Sequence, residues 1–252
     1  MDINTDINVL GSIVDLNIII PLLNRERNAV SENSNAIYTA KVKTTKSLKR
    51  YESAIKSTLI HIKNEETAEL FGAVFKKEGL SENCLALLFL NASANNDLLD
   101  YLNQNVYFPA LFSGRIAVKK DEVVACINDL TQREEALKKW SASTINVTAS
   151  KYLSLLTKFK LFEGGRDKHI THRHIDDKQF IVFLYWLSKA ESKPNLLKSK
   201  LLAYGFSDKE TFINRVLQKK FMKFVNVNYT GASMTLEPLL PYKDIYNELA
   251  KF

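Results

Sequence analysis

Residues 140–174 read WSASTINVTASKYLSLLTKFKLFEGGRDKHITHRH. Ser141 and Thr144 stand where a helix needs side-chain oxygens for its unpaired backbone N–H groups. Ile145, Ala149, Tyr152, Leu153, Leu156 and Phe159 then recur at helical spacing and form an apolar stripe. The other face carries Asn146, Thr148, Ser150, Lys151, Ser154 and Lys158, which are polar or basic and never acidic. Beyond Phe159 the period changes. Two short runs around Leu161–Glu163 and Lys168–His172 flank Gly164-Gly165-Arg166-Asp167, which predicts a β-hairpin. A polar helix followed at once by a basic hairpin is the plan of a winged helix. In that plan the helix enters a major groove and the hairpin reaches phosphates. A solvated helix followed by an ordinary hairpin has the same pattern, so further evidence must come from the rest of the chain.

The chain has 252 residues, 46% of them hydrophobic and 25% charged, as expected of a folded globular protein. Eight glycines and five prolines are few, which favours helices joined by short connections. The net charge of +7 is unevenly spread along the sequence. Residues 1–137 hold 15 Lys+Arg against 18 Asp+Glu, whereas residues 138–252 hold 20 against 10. A basic half of this kind suits a polyanion.

Outward from the central stretch, helices are expected over 47–62, 65–75, 81–92, 97–105 and 120–139. Residues 10–23 read as a strand or short helix, 24–35 as a polar linker, and 38–43 as an extended entry. After the hairpin, Asp176 or Asp177 caps a helix to about Ala190 that is apolar nearly all round and therefore buried. Pro194 opens a short helix to about Tyr204, and Ser207 or Asp208 caps another that carries Arg215, Lys219, Lys220 and Lys223. Residues 224–229 and 233–236 form a second helix-then-hairpin unit, and a short helix closes the chain. The fold class is all-α with one or two small β-hairpin wings and winged-helix-like elements. The chain divides into an N-terminal extension (1–37), a helical domain (38–139) and a basic winged-helix-like domain (140–252), with the second unit at 208–237.

Catalytic patterns are missing. There is no Gly-x-Ser-x-Gly, no His-Glu-x-x-His and no glycine-rich phosphate loop. Glu134 and Glu135 are adjacent on a helix and so do not face one another. In a strand His172 and His174 share a face and His169 takes the other, so the three do not converge, and Cys84 and Cys126 lack ligand spacing. Neither a metal nor any other cofactor is expected, nor a small-molecule substrate. The two cysteines read as reduced thiols in the cytoplasm. No run approaches the roughly 20 apolar residues of a spanning helix, so no membrane partner is expected. Most aromatics fall on apolar stripes, although Tyr229 or Tyr242 has the chemistry to stack on a base.

Trp140-Ser141-x-Ser-Thr144, followed by Tyr152-Leu-x-Leu-Leu156-x-x-Phe159-x-Leu161-Phe162-Glu163-Gly164, resembles the BrxA family of bacterial BREX phage-defence systems. Tyr38-Thr39-Ala40-Lys41-Val42 ahead of Tyr51-Glu52-Ser53, the helix from Asp176 to Leu187, and Tyr229-Thr230-Gly231-Ala232 are also similar, so that the resemblance spans about 38–250. It implies a non-enzymatic, largely helical protein that binds DNA through winged-helix elements. Such a protein would work beside a methyltransferase and an ATPase of the same system. Lys160 departs from the pattern, which expects a helix-ending glycine there.

These readings converge on double-stranded DNA as the partner. Ser143, Thr144, Asn146, Thr148, Ser150, Lys151 and Ser154 are the expected helix face. Arg166, Lys168, His169, His172 and Arg173 form the wing, and Lys219, Lys220 and Lys223 a second patch. RNA binding, or docking of the basic half on an acidic protein, are the rival readings.

Overall fold

The computed structural model describes residues 3–20, 22, 44–165, 167–191 and 195–250. The polar linker at 24–35 and the extended entry at 38–43 lie outside the described residues, as do Arg166 and Pro194. In chain order the helices are α1 (Asp6–Leu10), α2 (Thr45–Ala54), α3 (Glu65–Glu78), α4 (Glu82–Asn95), α5 (Asp97–Leu102) and α6 (Phe108–Phe112). Strand β1 (Ala117–Val118) precedes α7 (Lys120–Arg133) and α8 (Ala142–Lys158), and β2 (Phe162–Glu163) and β3 (Lys168–Ile170) follow. The chain ends with α9 (Asp177–Ala190), α10 (Lys209–Val216), β4 (Val225–Tyr229), β5 (Met234–Pro238) and α11 (Tyr242–Ala250). The structure is therefore mainly helical with small antiparallel sheets of two and three strands.

Helix starts follow from local chemistry. Thr44, Asn64, Asn96, Ser141, Asp176 and Asp208 each accept a backbone N–H of the first turn through a side-chain oxygen. Two helices run on into wider π turns, over Ile55–Leu59 and Asn103–Tyr107. Buried Asn91 serves the end of the first, donating from Nδ2 to the carbonyl oxygens of Leu59 (2.8 Å) and His61 (2.9 Å).

Contacts group the chain into two units, residues 1–61 with 88–172, and 62–87 with 173–252. Chain order and packing thus differ: residues 88–139 and 140–172 share one core, while 62–87 join the C-terminal third. Counted by unit, the basic excess is +4 and +3, so the charge asymmetry along the sequence is not an asymmetry between packed bodies. In the first unit the excess is local. Residues 138–172 carry seven Lys+Arg against two Asp+Glu.

The first unit is built on an aromatic cluster. Phe89 meets Phe159 at 5.5 Å and Tyr107 at 6.2 Å, and Tyr107 meets the edge of Phe162 at 5.7 Å. Each fully buried ring stabilises the unit by about 1.5–3 kcal/mol. A polar relay crosses the same core: Tyr152 Oη donates to Asn103 Oδ1 (3.0 Å), and Asn103 Nδ2 donates to Ser93 Oγ (3.0 Å). Around it β1 pairs with β3, and β3 with β2, all antiparallel.

In the second unit α9 is buried from Gln179 to Leu187, as its all-round apolarity predicts. Phe180 packs on Phe212 (5.8 Å) and Phe221 (5.2 Å). Tyr185 donates to Phe224 O (2.9 Å) and accepts from Leu240 N (3.1 Å), which ties the β4–β5 hairpin to α9.

Candidate nucleic-acid interface

α8 presents two faces of different character. Ile145, Thr148, Ala149, Tyr152, Leu153, Leu155 and Leu156 are buried. Thr148, expected on the polar face, is fully buried, and its Oγ1 has no hydrogen-bond partner among the described residues. It sits three residues after Ile145 and four before Tyr152, so the spacing of the apolar stripe already included it.

Ser150, Lys151, Ser154 and Lys158 are half-buried rather than open. The hydroxyls of Ser150 and Ser154 donate to the carbonyl oxygens of Asn146 (3.0 Å) and Ser150 (2.9 Å), bonds within the helix itself. Gly11, which ends α1, lies against Lys151. A Cβ at Gly11 would come within 2.3 Å of Lys151 O. Lys158 Nζ donates to Gly11 O at 2.8 Å, with burial and the nearby charges of Lys151 and Lys168 pushing its ammonium down to about 8. The C-terminal half of the polar face therefore packs against α1. The open part is the N-terminal half, where Ser143, Asn146 and Val147 are exposed and Thr144 is half-buried against the capping Ser141.

The hairpin after α8 turns at Gly164, whose φ of +85° favours glycine and whose Cβ would meet Asp167 O at 2.4 Å. Lys168 Nζ folds back to Gly164 O at 2.9 Å, while His169 and His172 are exposed. Arg173 belongs to the second unit, where its guanidinium donates to Glu82 O and lies 5.8 Å over Phe206.

Lys219, Lys220 and Lys223 are exposed in the second unit, but two of them are engaged. Lys220 pairs with Asp177 and Lys223 lies 4.8 Å over Phe224. Asp177 also accepts from Arg215 at 3.0 Å; burial alone would raise its carboxyl, and these two cations hold it below the usual carboxylate range. On the adjoining hairpin Tyr229 is 37% exposed, whereas Tyr242 is buried with its hydroxyl donating to Tyr185 O, out of reach of a base.

Neither cysteine is a thiolate. Burial pushes Cys84 and Cys126 up to about 11, and both are unpaired by disulfides. Among the described residues no group of three His, Cys, Asp or Glu is placed to hold a metal ion, and no helix is long and apolar enough to cross a membrane.

A mainly helical protein with small β wings, one of them directly behind a capped polar helix, is the class these features define. The chain matches the BrxA family model over residues 13–183 and belongs to the BrxA family. Membership implies a component of a BREX phage-defence system that associates with other components of it. The match begins ahead of residue 38, so part of the N-terminal stretch lies within the family span, and it ends within α9. No curated protein and no solved structure matches the chain.

Proposed function

We propose that the chain is a non-enzymatic duplex-DNA-binding component of the defence system, with α8 and the β2–β3 hairpin as its principal contact. The observation that carries the reading is the order α6–β1–α7–α8–β2–β3 with the sheet paired β1-β3-β2. That order puts the hairpin directly after a helix whose N-terminal half is exposed, and a winged helix with this order of elements would reach base edges with the helix and phosphates with the hairpin. The local excess of seven cations over two acids across 138–172 supports it. Ser143, Asn146 and Lys168 are the contacts we favour, together with Arg166, which the sequence reading assigns to the wing. Lys219 and Lys223 make a second, weaker patch. Raised thiols at Cys84 and Cys126 make poor nucleophiles and fit a binding role in the reducing cytoplasm. The methyltransferase and ATPase of the same system are the protein partners we expect.

The test is fluorescence anisotropy of the full chain with a labelled random-sequence duplex at several salt concentrations. Phosphate contact makes log affinity fall linearly with log salt, by about 0.9 per phosphate neutralised. Arg166→Ala or Lys168→Ala then lowers that slope by about one. Preference for an RNA duplex in competition, or no binding at low salt together with a stable protein complex, overturns the reading.

A further inference from the structure

On the open half of α8 one side chain does not match its surroundings. Val147 is 47% exposed, yet helical spacing places it four residues from both Ser143 and Lys151 and three from Thr144 and Ser150. It is the centre of a face whose other members are polar. A β-branched side chain there gains little from burial, and the helix restricts it to one strongly preferred χ1 rotamer. Its two methyl groups are thus held outward in a fixed position.

Asn146 is the neighbouring exposed position. Its Nδ2 donates to Ala142 O at 2.9 Å, which steadies the amide against its own helix. That bond uses one amide hydrogen. The second hydrogen and Oδ1 have no partner among the described residues, and together they form a donor and an acceptor side by side. This pair is complementary to the N7 acceptor and N6 amino donor of adenine in the major groove, while an apolar group complements the thymine C5-methyl.

We infer that Asn146 and Val147 give the protein a base preference, with Asn146 reading adenine and Val147 an adjacent thymine methyl. The inference rests on the duplex-DNA reading of α8 and adds sequence discrimination to it. Ser143 is short and exposed and leaves room for base edges to approach, while Ser150 spends its hydroxyl proton within the helix. Lys168 and Arg166 act on phosphates and are indifferent to sequence.

The experiment selects duplexes from a pool with a randomised core, using the full wild-type chain, Asn146→Ala, Val147→Ala and Val147→Ile. Wild type should enrich a site containing an A·T step. Replacing the thymine of that step by uracil removes only the C5-methyl. It should weaken wild type and Val147→Ile about fivefold, the smaller end of a base contact, and leave Val147→Ala unchanged. Asn146→Ala should no longer distinguish the A·T pair from G·C. The salt slope of each variant should stay at the wild-type value, because no phosphate contact has been removed. Duplex binding by wild type with no enriched step, or equal binding of the thymine and uracil duplexes, overturns the inference and leaves the DNA reading standing. Absence of any duplex binding at about 50 mM salt removes both. Unfolding midpoints of the half-exposed variants separate loss of preference from loss of fold.

Discussion

Lys158 Nζ donates to the carbonyl oxygen of Gly11 at 2.8 Å, joining the C-terminal turn of α8 to the end of α1 across 147 positions of sequence. The bond satisfies a carbonyl at a helix end, where backbone acceptors lack intrahelical partners. It also draws an ammonium part-way out of water beside Lys151 and Lys168, which is why its pKa falls to about 8 from 10.5. In the unfolded chain this lysine keeps its proton until about pH 10.5, so between pH 8 and 10.5 the unfolded state binds more protons and stability rises with pH. Below pH 8 the full cost of the half-buried charge is present. Lys158→Met, which removes the titration but keeps the stem, should therefore lose ground against wild type as pH climbs through that window. Denaturant midpoints of both proteins from pH 7 to about 11 measure it, and a constant gap would show that the group does not titrate there.

Gly11 makes the same junction sterically exact. Its φ of −63° is open to any residue, so conformational strain is not the reason for glycine. The reason is that an added Cβ would lie 2.3 Å from Lys151 O and 2.8 Å from Lys151 C, backbone atoms of a helix that cannot yield. Gly11→Ala should cost about 1–3 kcal/mol, the range for overfilling a packed contact. A midpoint within error of wild type would mean α1 does not rest on α8 in solution.

Thr148 is the plainest difference between a polar residue type and a polar position. Its hydroxyl is buried and unpaired among the described residues, so it carries a desolvation cost with no bond to offset it. Thr148→Val keeps the shape and the β-branch and removes that cost. The variant should be more stable by about 1 kcal/mol, with unchanged affinity for duplex DNA. Reduced affinity at unchanged stability would return Thr148 to the contact face.

What the sequence revealed, and what it did not, divides by the range of the interaction. The cap at Ser141, the glycine turn of the first hairpin and the buried α9 are local patterns and were legible, and the caps at Asp176 and Asp208 were each narrowed to one of two adjacent residues. β1 was not, because two residues, Ala117 and Val118, show no alternation and become a strand only by pairing with Lys168 and His169. The π turn at Asn103 was equally hidden, since its buried amide is met by Ser93, 10 positions away, and by Tyr152, 49 positions away. The packing of α1 on α8 hid most of all. It turned Ser150, Lys151, Ser154 and Lys158 from an open face into a half-covered one and shifted the candidate contact towards Ser143, Asn146 and Val147.

Lys160 joins sequence pattern, backbone geometry and binding in one position. The pattern expects glycine at this helix end, and Lys160 has a φ of 61°, in the left-handed region that glycine enters without a Cβ clash. Lys160 N donates to Thr157 O (3.1 Å) and Leu161 N to Leu156 O (3.0 Å), the paired bonds of a Schellman ending, with Leu156 and Leu161 both buried. Lysine at its left-handed position costs conformational energy that glycine does not. Lys160→Gly should raise stability by about 0.5–1 kcal/mol after the extra chain entropy of glycine is counted. If the exposed ammonium between α8 and the hairpin meets a phosphate, the same change lowers the salt slope of duplex binding by about one. Unfolding and anisotropy on the same sample separate the two effects. A stabilised variant that binds as wild type does would leave Lys160 without a role at the DNA, and a destabilised one would contradict the left-handed geometry.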